Sequence, residues 1–129
     1  MSLSLGAVAL LVRDYDEAVA WYVDKAGFTL VEDTDLGGGK RWVTVAPSPD
    51  GPRLLLARAA TPEQTARVGD QTGGRVGFFL ESDDFMRDFE AFSTRGVRFL
   101  ESPRHEAYGS VAVFEDLYGN KWDLIQTKG

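Results

Sequence analysis

The sequence predicts an α+β fold of two tandem βαβββ modules, and three observations carry that expectation. First, the chain states one pattern twice. Val8-Ala-Leu-Leu-Val-Arg-Asp-Tyr-Asp-Glu-Ala-Val-Ala-Trp-Tyr leads to Gly27-Phe-Thr-Leu-Val, and Val76-Gly-Phe-Phe-Leu-Glu-Ser-Asp-Asp-Phe-Met-Arg-Asp-Phe-Glu leads to Gly96-Val-Arg-Phe-Leu. Second, each copy passes from an apolar run through an acidic cap into a helical stripe, then a glycine stop and a further strand. Third, glycine-rich turns separate the strand segments that follow. The offset is 68 positions at Val8/Val76 and 69 at Gly27/Gly96. That is too long for a solenoid repeat and marks a duplicated half-domain. Two such halves must bury their sheets, and the space between facing sheets is where a ligand can sit.

Leu5 to Val12 is almost wholly apolar, as a strand covered on both faces would be. Asp14 or Asp16 caps the following helix, whose stripe is Ala18, Trp21, Tyr22 and Ala26, and Gly27 ends it. Residues 28–33 and 40–46 read as strands joined by a hairpin at Asp35-Leu-Gly-Gly-Gly, and residues 53–58 as a fourth strand. Thr61-Pro-Glu-Gln is a capped short helix within the linker. The second half follows with a strand over 75–81 and a helix capped by Ser82 or Asp83. That helix carries Phe85, Met86, Phe89 and Phe92 as its core stripe and stops at Gly96. Strands over 97–101, 110–115 and 121–127 complete the copy, the last two joined by the turn Asp116-Leu-Tyr-Gly-Asn. The expected organisation is one domain over 1–129: module 1 at about 4–58, a linker over 59–74 and module 2 at about 75–127.

The totals narrow the function classes. Without cysteine there are no disulfides and no thiolate metal sites, in keeping with a cytoplasmic protein. No apolar run reaches membrane-spanning length, so no membrane partner is expected. A net charge of −6 argues against nucleic acid, whose binding needs clustered cations. It would tolerate a cationic ligand, although moderate acidity also serves solubility alone. Asp35-Leu-Gly-Gly-Gly-Lys lacks phosphate-loop spacing and precedes a strand, so it is a hairpin turn.

The repeated strand–helix–strand pattern, with Val8 to Tyr22, Gly27-Phe and Phe114-Glu-Asp-Leu-Tyr-Gly-Asn-Lys-Trp-Asp-Leu-Ile-Gln126, resembles the vicinal oxygen chelate superfamily. This superfamily includes glyoxalase I, bleomycin-resistance proteins and extradiol dioxygenases. The second stretch is similar to its closing strand, F-x-D-P-x-G-N-x-x-E-L-x-Q. The resemblance covers essentially the whole chain. It implies a cup-shaped mixed β-sheet with helices outside, and a homodimer. In the metalloenzymes of this superfamily four positions in the cup hold a divalent metal. On this chain they fall on Ala7, Leu55, Arg75 and Asp123.

Ala7 and Leu55 offer no donor, and Arg75 is a permanent cation. Asp123 alone could ligate, and one carboxylate does not hold a divalent ion against water. No cofactor is therefore expected. In its place Arg75 is expected to pair with Asp123 inside the cup, as a structural bridge or a ligand anchor. Phe79 shares that face by strand alternation, whereas Trp122 faces the helices. His105, the one histidine, lies with Tyr108 in the segment that in this superfamily overhangs the cup mouth. They are the candidates for acid–base and ligand-contacting roles, against the reading of an exposed loop.

Three functions follow. The first is a metal-free binder of a small molecule, with Arg75, Asp123, Phe79, Tyr108 and His105 as contacts. The second is a superfamily enzyme, either a metal-dependent lyase, isomerase or dioxygenase using a non-standard ligand set or a metal-free one, with His105, Glu101, Glu106 and Asp123 as candidates. The third is a non-catalytic structural dimer.

Overall fold

The computed structural model describes residues 2–128. Its described residues form an α+β fold of nine strands and three helices in two compact units, one through Val68 and one from Gly69. No helix among them is long and apolar enough to cross a membrane.

In the first unit β1 (Ala7–Val12), β2 (Thr29–Gly37), β3 (Lys40–Ala46) and β4 (Arg53–Arg58) form a sheet in the order β1-β4-β3-β2. β1 runs parallel to β4, with Ala9 beside Leu55 and Leu10 beside Leu56. Alternation sends Leu10, Val12, Val43, Val45, Leu54 and Leu56 to the face packed by helix α1 (Tyr15–Asp24), where all are buried. Ala9, Leu11, Leu55, Ala57 and Trp42 point the other way. Asp14 caps α1 by accepting the Glu17 amide at 2.8 Å. Tyr15, Ala18 and Tyr22 form the buried stripe, and Tyr22 packs on Phe28, ring centroids 5.3 Å apart. Short helix α2 (Pro62–Arg67) starts at the Thr61 cap with proline in its first turn.

In the second unit β5 (Phe78–Glu81), β6 (Arg98–Phe99), β8 (Gly109–Glu115) and β9 (Lys121–Thr127) are ordered β5-β9-β8-β6, and β7 (Arg104–Glu106) also pairs with β8. Helix α3 (Phe85–Thr94) covers one face. Phe92, Phe99, Phe114, Trp122 and Phe78 stack between helix and sheet at centroid separations of 4.7–6.5 Å. Each ring removes a large apolar area from water and gains edge and stacking contacts. Trp122 is thus on the helix face, as alternation predicts, and is 5% exposed. Met86 is not part of the stripe: at 43% exposed it lies a helical step away from the line through Phe85, Phe89 and Phe92.

The closing motif resolves into structural parts. Asp116, Gly119 (φ 100°) and Asn120 make the β8–β9 turn. Gln126 staples α3 to the sheet, accepting the Phe85 amide at 2.8 Å and donating to the Asp83 carbonyl at 2.9 Å.

Three expectations are corrected here. The cap of α3 is Asp84, which accepts the Arg87 amide at 3.2 Å, rather than Ser82 or Asp83. Asp14 and Asp84, and the helices they start, stand 70 positions apart. The copies therefore align two residues later than the Val8/Val76 match implies, and β5 starts at Phe78 rather than Arg75. The segment around His105 is also not a loop, because β7 adds a short polar strand to the sheet.

Candidate functional site

Two features stand out, one in each unit. In the first, the ladder between β3 and β4 runs only through Thr44↔Leu55 and Val45↔Leu54. Beyond Thr44, β3 stays with β2 and departs from β4. A cavity of about 620 Å³ opens where the two strands part. Leu11, Leu55, Ala57 and Trp42 supply apolar walls, Leu36 and Gly38 of the β2–β3 hairpin one rim, and Ala60 and Gln64 of the α2 segment another. Trp42 is 40% exposed, a large aromatic left accessible beside the opening.

Tyr15 helps to build the cavity wall. Its hydroxyl accepts the Arg41 amide at 3.2 Å. The guanidinium groups of Arg41 and Arg58 lie over its ring at 5.0 and 5.3 Å. Arg41 is neutralised by Asp33 at 2.8 Å and Asp16 at 2.9 Å. Its hydrogen bonds to Asp33 and Asp16 raise the Arg41 pKa further, and the Arg41 bond holds Asp33 below the ordinary carboxylate value. Sequence reasoning missed this cavity, since a ladder that stops early leaves no mark in a hydropathy pattern.

In the second unit Asp123 sits on the sheet face opposite α3, beside Val113 on β8 and Phe79 on β5. Its Oδ1 is buried and accepts no hydrogen bond among the described residues. Desolvation pushes its pKa up. The Arg104 charge lowers it, and Glu101 reinforces the rise. Glu101 is held by two contacts: Oε1 accepts from Arg104 Nε at 2.9 Å, and Oε2 accepts the Val113 amide at 2.9 Å. Arg104 also lies 3.7 Å from Glu106 and interacts with Tyr108. Arg104 thus gathers most of the named candidates, yet nothing in the sequence singled it out. Arg104-His-Glu is polar throughout and carries no alternation that would mark it as a strand.

The expected Arg75–Asp123 pair does not form. Arg75 is exposed in the turn ahead of β5, its carbonyl accepting Thr72 Oγ1 at 2.6 Å, and the charges acting on Asp123 come from Arg104 and Glu101. The physical reason is the two-residue shift in register. Gly77, whose amide donates to the Lys121 carbonyl at 3.1 Å, takes the place beside β9 that Ala7 takes beside β4.

His105 and Asp123 are also not brought together. His105 Nδ1 bonds Ser110 Oγ at 2.8 Å, and its ring meets the edge of Phe85, which puts it on the α3 side of the sheet. Tyr108 is half exposed in the β7–β8 turn, and Phe79 is 61% exposed on the Asp123 face. The positions that resemble metal-ligand sites hold Ala7, Leu55 and Arg75, or Gly77 in the corrected register, with the single carboxylate Asp123. Among the described residues no three His, Asp or Glu side chains gather as a metal site. This donor set does not fit a divalent ion.

The sequence model described as the Glyoxalase/Bleomycin resistance protein/Dioxygenase superfamily matches residues 4–124. An uncharacterized protein of Shewanella frigidimarina (strain NCIMB 400) is 52% identical over 128 residues, covering 98% of this chain and 95% of that protein. Among solved structures, UcmS2 superposes with a TM-score of 0.83 at 31% identity, covering 97% of this chain and 98% of its own. TnmS3, an antibiotic binding protein from Streptomyces sp. CB03234, superposes with a TM-score of 0.79 at 29% identity, covering 99% of each chain.

Proposed function

The chain belongs to the Glyoxalase/Bleomycin resistance protein/Dioxygenase superfamily, and on that premise we propose that it binds a small molecule without using a metal. The observation that carries this reading is the cavity at the β3–β4 parting, of the volume and mixed lining that small-molecule sites have. The likeness to an antibiotic binding protein supports it. The absence of a convergent donor set at the resembling positions supports the metal-free part. In this reading the ligand lies against Trp42, Leu11, Leu55 and Ala57, and its binding stabilises the fold in proportion to its excess over Kd.

A thermal-shift screen of aromatic natural products and drugs tests it. The expected result is one or more stabilising compounds whose effect is lost in Trp42→Ala. Trp42 is partly exposed, so the variant should fold. A stabilising set that Trp42→Ala leaves unchanged would refute this placement of the site.

Self-association and a cytoplasmic location belong to the same reading. Val8 and Val31 in the first unit and Phe79 in the second are 44%, 45% and 61% exposed, apolar sheet side chains that association would cover. Sedimentation at micromolar concentration should give the mass of a homodimer, and a monomer mass would reject the association.

A second reading, a metal-free acid–base enzyme, is favoured by one observation. Asp123 combines a raised pKa, a bare Oδ1 and an exposed aromatic neighbour, which is how a proton-transferring carboxyl is prepared. Turnover by the protein stripped of metal that Asp123→Asn abolishes would establish it. Turnover that survives the substitution would reject it.

A further inference from the structure

The proposed cavity has a charge character opposite to that of the chain. The protein carries a net charge of −6. Yet the residues lining the cavity include Lys40, Arg41 and Arg58 and no aspartate or glutamate. Arg41 is neutralised by two carboxylates, Asp33 and Asp16. Arg58 and Lys40 are in no ion pair among the described residues. Arg58 is instead placed over the Tyr15 ring at 5.3 Å, and a side chain at Gly39 would press on its guanidinium at 3.3 Å. One face of that guanidinium is thus occupied by an aromatic ring, and its edge remains for an acceptor. Gln64 adds a neutral donor. Its Oε1 is already used by the Ala60 amide at 2.8 Å, which leaves its Nε2 to donate.

From this arrangement we infer that the ligand is an apolar molecule carrying an anionic group, with its apolar part against Trp42 and Leu55 and the anion at Arg58 and Lys40. The inference rests on the small-molecule reading above and names the class of molecule that reading leaves open. Two unpaired cations beside an apolar wall raise the local concentration of anions and repel cations, whatever the sign of the remaining surface. A planar guanidinium also matches the two oxygens of a carboxylate. The acidic total suggests a basic ligand only when it is averaged over the whole chain. The lining residues reverse that sign where it matters.

The test uses three probes of one shape: 2-naphthoate, its neutral carboxamide, and 2-naphthylmethylamine, which is cationic at neutral pH. Binding of each to the full chain is measured by calorimetry at 20 and 300 mM salt. The expected result is at least tenfold tighter binding of 2-naphthoate than of the carboxamide at low salt, or about 1.4 kcal/mol. The advantage should shrink at high salt. Lys40→Gln and Arg58→Gln should each reduce that advantage of the acid over the amide. Lys40 is exposed on a hairpin, so its variant keeps the test valid should Arg58→Gln perturb the Tyr15 wall.

Equal binding of the acid and the amide, or a preference for the amine, would overturn the charge assignment and leave the cavity reading standing. Binding of none of the three, together with no effect of Trp42→Ala on any stabilising compound, would overturn both.

Discussion

Replacing Asp116 by alanine tests whether the closing motif serves the fold rather than the ligand. Asp116 is 4% exposed. One of its oxygens accepts the amides of Tyr118 and Asn120, each at 2.9 Å, and the other accepts Asn120 Nδ2 at 2.8 Å. In Asp116→Ala the Tyr118 amide, in a partly exposed residue, can turn to water. The two Asn120 donors cannot, because Asn120 is also 4% exposed. Each of the two buried donors left without a partner costs about 1–3 kcal/mol, so the loss should be about 2–6 kcal/mol. Asp116→Asn retains one acceptor oxygen and surrenders the charge, which predicts about 1–2 kcal/mol. Urea unfolding followed by far-ultraviolet circular dichroism reads both, as midpoints that fall with the slope unchanged. An Asp116→Ala protein within about 0.5 kcal/mol of the parent would place the change in the range of an ordinary surface substitution and refute the accounting. So would an asparagine variant as unstable as the alanine one.

Two further outcomes follow from the same kind of reasoning. Burial raises the Asp123 pKa above the ordinary 3.8, so the folded state holds this proton more tightly than the unfolded chain does. The stability this contributes is full below the ordinary value and is lost as the pH rises through the raised one. Asp123→Asn should therefore stabilise the protein near neutral pH and have no such effect at pH 3, as denaturation at the two pH values would show. Equal effects at both would dismiss the desolvation argument. Gly69 has φ 81°, and a Cβ there would collide with the Tyr118 carbonyl. Gly69→Ala should cost about 2 kcal/mol or more through backbone strain alone, and an unchanged melting temperature would contradict it.

The halves of this fold were legible because each carries a capped helix with a core stripe, and those are local signals. Asp14 and Thr61 announce their helices by side-chain chemistry that acts within three residues. The register between the copies was less legible. Val8-Ala-Leu-Leu-Val and Val76-Gly-Phe-Phe-Leu match as hydropathy strings, but the capping bonds of Asp14 and Asp84 fix the true correspondence. That two-residue difference moved Arg75 out of its expected strand and away from Asp123. Strand β7 escaped notice because Arg104-His-Glu has no apolar alternation and owes its pairing to β8. Trp42, Arg58 and Tyr15 reach one cavity only because β3 leaves β4 after two paired positions, which is a property of the sheet and not of any segment.

The short β3–β4 ladder has a mechanical consequence. Past Thr44 the β2–β3 hairpin is tied to the rest of its unit through side chains: Val43, fully buried on the α1 face, the Arg41–Asp16 pair, with Asp16 80% exposed, and the bond from the Arg41 amide to the Tyr15 hydroxyl. An exposed ion pair of this kind holds with no more than about 1 kcal/mol. This wall of the cavity is therefore held by one buried valine and a few polar contacts in place of a row of strand hydrogen bonds.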